Sequence, residues 1–300
     1  MPSVFLATAA AVATAMSILW WISLARRDAS IVDIYWGPGF LVIAAVACAV
    51  GHGGDPARRA LSLVLVALWG LRLGIHLFFR NRGAGEDYRY QAMRRRHGER
   101  FGRVSLVTVF GLQGALAWIV SLPVQVVHVS AGGPLGALDL AGALLFAVGF
   151  SFEAIGDWQL ARFKADPGSR ERVMDQGLWR YTRHPNYFGD ALVWWGLFAI
   201  ALATPAGVWT LPGPLLMTFL LRRVSGVPLL ERSLRKRRPG YADYAARTSP
   251  FFPLPPRRAA RRPTPESADA QRGAAERSPE ARARAVSERE GAARTTPPRG

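Results

Sequence analysis

Residues 177–190 read GLWRYTRHPNYFGD and lie between two long apolar segments of the chain. The stretch is polar where its flanks are not, since it carries Arg180, Arg183, His184, Asn186 and Asp190. Proline fixes φ, and its missing N–H costs nothing in the first turn of a helix. Pro185 therefore predicts that a new helix begins inside this stretch. We expect the concentration of polar side chains there to form a functional site.

Apolar segments on both sides of this stretch predict an all-α transmembrane helix bundle of about seven spans. Half of the 300 residues are apolar, and crossing a bilayer takes about 20 mostly apolar residues. The predicted spans are roughly 3–25, 31–50, 60–79, 105–128, 135–157, 187–203 and 206–223. The first 25 residues carry no charge, so the first span is interpreted as a retained anchor and not as a signal peptide.

The distribution of basic residues between the spans predicts their orientation. The segment 80–104 holds eight Arg, and 158–186 holds five Arg and one Lys. The connections near 129–136 and 204–209 hold none. Basic loops stay on the cytoplasmic side of a membrane, which places the N-terminus outside and the C-terminus in the cytoplasm. Arg58 and Arg59 fall on the outer side in this topology and are its exception.

Charge and composition bound the partners and the domains. A formal net charge of +17 would suit nucleic acid, but the arginines fall in loops between spans and in the tail, so the predicted partner is the bilayer and not nucleic acid. Residues 256–300 contain almost no large apolar side chain. Such a basic Pro/Ala/Arg-rich tail cannot repay the entropy of ordering, and it is predicted to be disordered. The predicted transmembrane domain is therefore 1–255.

Ionisable residues inside spans are costly, and they mark functional sites or the interior of a bundle. Three groups qualify: Arg72, His76 and Arg80 in the third span, Glu153 and Asp157 in the fifth, and Asp33 with Tyr35 in the second. Four-residue spacing puts the members of each of the first two groups on one helix face. The alternative interpretation is a structural ion pair of Arg72 with Glu153 or Asp157. The histidines show no H-x-x-x-H or H-E-x-x-H spacing, so no metal site is predicted.

Sequence signatures of soluble nucleotide-binding folds are missing, because no G-x-G-x-x-G follows a strand and neither a P-loop nor a G-x-S-x-G elbow occurs. A nucleotide would have to be held by membrane helices and their loops. The stretch 177–190 suits that task. Its arginines offer bidentate contacts to phosphate, the helix N-terminus at Pro185 attracts anions, and Trp179, Tyr181 and Tyr187 can stack on flat rings. The alternative is an ordinary basic loop with interfacial aromatic residues.

The motif R-H-P-N-Y-x-G-D at 183–190, after the lead G-L-W-R-Y-T, resembles the C-terminal half of the steroid 5α-reductase-like membrane family. The chain is more closely similar to a bacterial branch of uncharacterised multispan proteins grouped with it, DUF1295. Further matching residues are Asp157-Trp158-Gln159 with Phe163-Lys164, the loop 83–90, Glu231, and Gly240-Tyr241 with Tyr244. The resemblance covers roughly residues 30–256. It implies a multi-pass protein of the bacterial inner membrane.

The resemblance also implies a cofactor, NADPH, bound from the cytoplasmic side within residues 157–250. Carried over by position, the cofactor site would be formed by Asp157, Gln159, Lys164, Trp179, Arg183, His184, Asn186, Tyr187, Asp190, Glu231, Tyr241 and Tyr244. Steroid reductases use an acidic residue in an early span and a tyrosine to polarise the substrate carbonyl. The implied catalytic residues are Asp33, Tyr35, Arg72, His76 and Tyr88, with Tyr90 as a further candidate for the tyrosine. The family's pattern would place the tyrosine directly after His76, where this chain has Leu77, and this departure leaves the substrate open.

Together these features predict a membrane-embedded NAD(P)H-dependent reductase that transfers hydride to a C=C bond conjugated to a carbonyl in an apolar, lipid-like substrate. A donor such as Tyr88 or protonated Asp33 would stabilise the enolate oxygen. The main alternative is a methyltransferase of the isoprenylcysteine or phospholipid type, which carries a similar R-H-P-x-Y-x-G motif and binds S-adenosylmethionine. A non-catalytic membrane protein is the third possibility. The sequence leaves the oligomeric state open.

Overall fold

The computed structural model describes residues 2–169, 171–224, 227, 231, 234–235 and 237–257. In these ranges the regular structure is helical, with one isolated bridge between Thr182 and Ser249. Five helices are long and apolar enough to cross a membrane. The protein is therefore an integral membrane protein with an all-α multispan bundle, as the sequence predicts. Apart from Pro256 and Arg257, the tail predicted to be disordered lies outside the described residues.

The elements follow the apolar segments of the sequence. The α-helices are α1 (Pro2–Arg26), α2 (Ile31–Val50), α3 (Pro56–Asn81), α4 (Tyr88–His97), α5 (Phe101–Ser105), α6 (Leu112–Val120), α7 (Leu122–Val127), α8 (Ala137–Ala165), α9 (Pro185–Ala201), α10 (Pro212–Phe219) and α11 (Tyr241–Arg247). Short 3₁₀ turns lie at Gly98–Arg100, Pro167–Ser169, Gly177–Arg180 and Gly207–Thr210, and π-helices at Leu106–Gly111 and Leu220–Val224. The five candidate spans are α1, α2, α3, the continuous segment Tyr88–Val120, and α8.

Two helix boundaries bear on the site. Pro185 occupies the first turn of α9, so the helix start predicted from this proline is confirmed. The span predicted at 135–157 continues to Ala165 as α8. The extension contains polar residues, but long polar side chains can lie along apolar surface. Arg162 does so, since its guanidinium carbon lies 5.6 Å from the ring centroid of Trp158. The last two predicted spans form α9, with 17 residues, and α10, and the count of seven spans stays a prediction.

Glycines set the closest helix packing in the bundle. α8 presents Gly142, Gly149 and Gly156, two turns apart, to α9, which presents Gly189 and Gly196 in return. A Cβ built on Gly149 would lie 2.7 Å from the carbonyl oxygen of Gly189, closer than real atoms approach. Membrane helices bring their backbones this near only where side chains are absent. The polar residues in the first turns of α9 are thereby fixed against α8.

The same device joins α2 and α3. A Cβ on Gly70 would lie 2.5 Å from the carbonyl oxygen of Gly37. One turn further along α3, a Cβ on Gly74 would lie 2.7 Å from Cγ of the Pro38 ring. The small-xxx-small pair Gly70 and Gly74 thus permits close contact between two helices, which is the usual structural use of this motif.

Replacing Gly149 with Ala is expected to destabilise the fold by about 1–3 kcal/mol, because a methyl group there forces two backbones apart. Thermal unfolding of the purified protein in detergent measures the loss. The matched control is Gly133→Ala, since a Cβ at Gly133 would meet no atom within 4 Å. Equal unfolding temperatures for the two variants would show that α8 and α9 do not pack as described.

At the end of the bundle away from residues 177–190, Arg58 is buried and fully paired. Its Nε lies 2.7 Å from Oδ1 of Asp139, and its Nη2 lies 2.8 Å from Oδ2. The guanidinium also donates to the carbonyl oxygens of Gly133 and Pro134, at 3.1 and 3.2 Å. A buried arginine that is neutralised in this way acts as a structural group and differs from the free loop charges that orient membrane proteins. This explains why Arg58 departs from the predicted charge distribution.

Candidate functional site

Arg72 of α3 lies between two carboxylates of α8. It pairs with Glu153, and its Nη1 lies 2.9 Å from Oδ2 of Asp157. Trp69 Nε1 donates to Glu153 at 2.8 Å, and Asn186 Nδ2 of α9 donates to Asp157 at 3.0 Å. The ion pairing that the sequence offered as the structural alternative is therefore present. It also joins α3, α8 and α9 at one polar point inside the bundle, which we call the Arg72 cluster.

Two more predicted site residues border the Arg72 cluster. His76, one turn along α3, places Nε2 3.7 Å from Oδ2 of Asp157. Asp190, one turn along α9 from Asn186, is buried and acts electrostatically on Glu153. Three carboxyl groups therefore lie around one guanidinium at this point.

Two cations, Arg80 of α3 and Lys164 of α8, lie near His76, and we call these three residues the cationic cluster. Arg80 and Lys164 lie within electrostatic reach of each other and of His76. Arg80 Nε donates to Asn81 Oδ1 at 3.2 Å, and no acid in the described part of the chain forms an ion pair with Arg80 or Lys164. The acid that acts on Lys164, Asp157, is already paired with Arg72. Arg80 and Lys164 therefore carry positive charges outside any ion pair of the described residues, with Asp87 within electrostatic reach of Arg80 and Asp157 of Lys164.

The polar stretch itself is held by a buried acid. Arg183 Nε lies 2.9 Å from Oε1 of Glu231, and His184 Nε2 lies 3.2 Å from the same oxygen. The His184 ring stacks on Tyr187, with centroids 5.3 Å apart and planes 7° apart. Burial lowers the pKa of His184, against the opposing effect of Glu231. Burial would raise the pKa of Glu231, but the hydrogen bond from His184 and the charge of Arg183 outweigh it and lower that pKa. At neutral pH a neutral imidazole thus faces a carboxylate.

Several predicted cofactor residues make contacts within the protein. Gln159 Oε1 accepts from the backbone N–H of Leu178 at 3.0 Å, beside Gly177, whose φ of +58° and lack of a Cβ the contact requires. Trp179 Nε1 donates to the carbonyl oxygen of Gly156 at 3.1 Å. Tyr244 Oη donates to the carbonyl oxygen of Trp179 at 2.6 Å. These side chains fix the backbone of the polar stretch onto α8.

The segment after Gly240 closes over the polar stretch, and we call residues 241–254 the C-terminal strap. Arg183 N donates to Ser249 O at 2.9 Å, and Leu254 N donates to Tyr181 O at 3.0 Å. Thr182 Oγ1 donates to Phe251 O at 2.8 Å. Tyr241 is 2 % exposed, and burial raises its pKa. The strap therefore forms one wall of the candidate site.

A second polar cluster joins α2 to α4. Arg89 Nη2 lies 2.6 Å from Oδ2 of Asp33, and Tyr90 Oη donates to Oδ1 at 2.8 Å. Gln113 Nε2 donates to Tyr90 Oη at 3.2 Å and lies 3.4 Å from Oδ1 of Asp33. We call these four residues the Asp33 cluster. The carboxylate, guanidinium, phenol and amide satisfy one another, with the phenol in the centre.

The structure does not bring Tyr88 or Tyr35 into the Asp33 cluster. Tyr88 is 62 % exposed at the start of α4. The Tyr35 ring packs against Gly39, with Cε1 at 3.0 Å from the position of a glycine Cβ. Sequence analysis had Tyr90 only as a further candidate and overlooked Gln113. An isolated glutamine inside an apolar span is the signal that would have found Gln113, since such residues face the interior of a bundle.

Tyr187 lies where the clusters meet. Arg80 and Arg89 both act on it electrostatically, and so do Asp157 and Asp190. Its side chain therefore lies within electrostatic reach of residues of the cationic cluster, the Arg72 cluster and the Asp33 cluster.

An apolar cleft opens on the outer surface near the Asp33 cluster. It is lined by Ala13, Met16 and Ser17 of α1 and by Leu106, Val107, Gly111 and Leu112 of the facing helix. That helix is a π-helix over Leu106–Gly111, and such segments occur often at functional sites. Leu112 directly precedes Gln113 of the Asp33 cluster. The cleft thus lies on the segment that also carries Gln113.

Comparisons with known proteins agree with these observations. A protein of Schizosaccharomyces pombe (strain 972 / ATCC 24843), described as "Uncharacterized protein C594.04c", is 24% identical over 269 residues, which cover 79% of this chain and 76% of that protein. No solved structure is a significant match. A family described as "Protein of unknown function (DUF1295)" matches residues 19–248, which include all three clusters. The match extends over more than half of the chain, and the protein belongs to the DUF1295 family.

Proposed function

We propose that the protein is a membrane-embedded NAD(P)H-dependent reductase that transfers hydride to a C=C bond conjugated to a carbonyl in an apolar lipid. One observation carries the proposal: a cationic cluster suited to a nucleotide and a phenol–carboxylate cluster suited to a carbonyl both lie within electrostatic reach of Tyr187. A reductase needs two such sites side by side, one for the hydride donor and one for the acceptor. The resemblance to steroid reductases supports the same assignment, with the bacterial inner membrane as the location.

The cationic cluster favours a phosphate-bearing cofactor. Arg80 and Lys164 carry positive charges outside any ion pair of the described residues, and arginine binds phosphate with two parallel hydrogen bonds. NADPH carries several phosphate charges, whereas S-adenosylmethionine has no phosphate and carries a positive sulfonium. Unpaired cations near its site would repel a sulfonium. The reductase is therefore preferred over the methyltransferase alternative, and Arg80, Lys164, Asn186 and Tyr187 are the residues proposed to hold the cofactor.

The Asp33 cluster is proposed to act on the substrate carbonyl. NAD(P)H supplies the hydride when it is bound. Arg89 pairs with Asp33 at 2.6 Å, and the hydroxyl of Tyr90 is the proton donor that we assign to the substrate carbonyl. Tyr90 Oη would turn from Asp33 to the carbonyl oxygen and stabilise the negative charge that develops there. Gln113 keeps the phenol in place while the proton is shared.

The apolar cleft supports a lipid substrate. Its lining side chains are almost all apolar, and it opens where α1 and the π-helix face the membrane. A substrate dissolved in the bilayer could enter the cleft without entering water. The cofactor, which is soluble, would arrive from the opposite direction past the C-terminal strap. This division of access fits a reaction between a membrane lipid and a soluble nucleotide.

A ligand screen tests the proposal. Purified protein in detergent should be stabilised against heat by NADPH, by about 2.7 kcal/mol at a concentration 100 times the dissociation constant. The variant Arg80→Gln/Lys164→Gln should lose most of this shift. The matched control Arg95→Gln/Arg96→Gln, which removes the same charge from the exposed face of α4, should keep it.

Two outcomes would overturn the assignment. Stabilisation by S-adenosylhomocysteine without stabilisation by NADPH or NADH would identify the methyltransferase. No shift with any of the three at millimolar concentrations would support the non-catalytic alternative.

A further inference from the structure

Exposed arginines are gathered where two apolar helices end at the same side of the bundle. They are Arg26 and Arg27 at the end of α1, Arg95 and Arg96 in the last turn of α4, and Arg100 and Arg103 at the start of the segment that follows it. We call this group the arginine belt. Within the described ranges, no acid forms an ion pair with any of the six. The segment also contains Glu99, so the group carries a large positive excess.

The two parts of the arginine belt lie at the same level of the bundle. Trp20 Nε1 of α1 donates to the carbonyl oxygen of Gly102 at 2.7 Å. Leu24, one turn further, packs against Gly102, with Cδ2 at 3.2 Å from the position of a Cβ there. Because the two helices run antiparallel, Arg26 follows the contact on α1 and Arg100 precedes it on the facing segment.

Acidic partners sort the arginines of α4 into two groups. Arg89 is drawn inward by Asp33 at 2.6 Å, and Arg94 by Glu86 at 2.8 Å. Arg95 and Arg96 stay on the exposed side of the same helix. The fold thus neutralises the inward arginines and leaves the outward ones free to bind an external anion.

An exposed apolar surface ends at the arginine belt. On α1 it includes Ile18 and Trp21, which is 65 % exposed, and on the facing helix it includes Val107 and Leu112. Tryptophans concentrate at the boundary between hydrocarbon and headgroups. The belt follows this apolar surface directly, at the depth where lipid phosphates lie. Its position distinguishes it from a basic loop that extends into water.

We propose that the arginine belt binds the phosphate headgroups of anionic phospholipids. Arginine offers bidentate hydrogen bonds to a phosphate oxygen pair. Each arginine near an anionic membrane surface raises the local ratio of anionic to neutral lipid by a factor of about five. This role is independent of the proposed reductase, because none of the six arginines belongs to the cationic, Arg72 or Asp33 cluster.

Lipid retention tests the proposal. The full-length protein is reconstituted into nanodiscs of equal phosphatidylglycerol and phosphatidylcholine, extracted gently, and its bound lipids are quantified by mass spectrometry. The wild-type protein should retain phosphatidylglycerol in excess. The variant Arg95→Gln/Arg96→Gln/Arg100→Gln should lose this excess at least tenfold. The matched control Arg162→Gln/Arg223→Gln/Arg257→Gln removes the same charge from exposed positions on other elements and should keep it.

The arms of the experiment separate the alternatives. Equal loss in the two triple variants would show that net charge, and not the belt, selects the lipid, and would overturn the proposal. Displacement of phosphatidylglycerol by millimolar inorganic phosphate would identify a site for free phosphate instead. An absence of any excess in the wild-type protein would also refute the proposal. Thermal unfolding of each variant confirms that the proteins compared are folded, and the NADPH screen stays a separate readout.

Discussion

The Tyr90→Phe variant is expected to lose NAD(P)H-dependent reduction by a factor of about 10²–10⁴, the usual contribution of a positioned proton donor. Tyr90 is 5 % exposed, and its hydroxyl is held between Asp33 and Gln113. Removing the hydroxyl takes away the proton donor that we assign to the carbonyl oxygen of the substrate. The rate is measured as NADPH consumption with a lipid extract from cells that lack the protein.

Tyr88 supplies the matched control for this prediction. It lies on the same helix as Tyr90 but is 62 % exposed, so Tyr88→Phe should keep the wild-type rate. Both variants should keep the thermal shift with NADPH, because neither residue belongs to the cationic cluster. A larger loss in Tyr88→Phe than in Tyr90→Phe would show that the assignment of the donor to Tyr90 is wrong.

The second large effect is expected at Arg72. Replacing Arg72 with Met leaves Glu153 and Asp157 without their cation inside the bundle. Breaking a buried ion pair from one side costs about 3–5 kcal/mol, because the remaining charge stays desolvated. The variant should lose its folded population at a lower temperature, as followed by size-exclusion chromatography of heated samples in detergent.

A compensated variant separates charge from packing. In Arg72→Met/Glu153→Gln/Asp157→Asn the unpaired carboxylates are gone, and most of the stability should return. Arg80→Gln serves as the single-site control, since Arg80 has no acidic partner among the described residues and its loss should cost less than about 1 kcal/mol. If the triple variant is no more stable than Arg72→Met, the buried charges are not the cause.

Much of the fold follows from local features of the sequence. The lengths of the apolar segments predict the five long helices, and Pro185 predicts the start of α9. Four-residue spacing predicts that Arg72 and His76 share a face, as Glu153 and Asp157 do. Because all four side chains must avoid lipid, their meeting inside the bundle is the expected result. These inferences need only the period of a helix and the cost of charge in a membrane.

The choice of tyrosine could not be made in this way. Tyr88 and Tyr90 lie two positions apart on α4, so they face different directions, and the sequence does not say which direction is inward. The direction depends on contacts between distant segments: Glu86 accepts from the N–H of Ala29 at 2.9 Å, and Asp87 N donates to Ser30 Oγ at 2.6 Å. No local pattern encodes such contacts.

The resemblance also did not distinguish the two uses of the predicted site residues. Backbone groups of the protein are the hydrogen-bond partners of Gln159, Trp179 and Tyr244. Among the described residues, Arg80 and Lys164 form no ion pair. A motif records that residues occur together, but only their partners show which of them shape the site and which remain available for a ligand.

The glycine contact between α8 and α9 restricts how the protein can diverge. Sliding one helix past the other by a single residue would put Val148 or Phe150 where Gly149 now meets the backbone of Gly189. Intermediate positions of the two helices would bring side chains into the backbone of the partner helix. The packing of α8 on α9 therefore cannot be adjusted gradually during evolution. If the proposed lipid reduction is the function, relatives with other substrates would have to change the cleft between α1 and the π-helix, where side chains meet the membrane and can vary in size. Sequence variation tied to substrate range should therefore concentrate there.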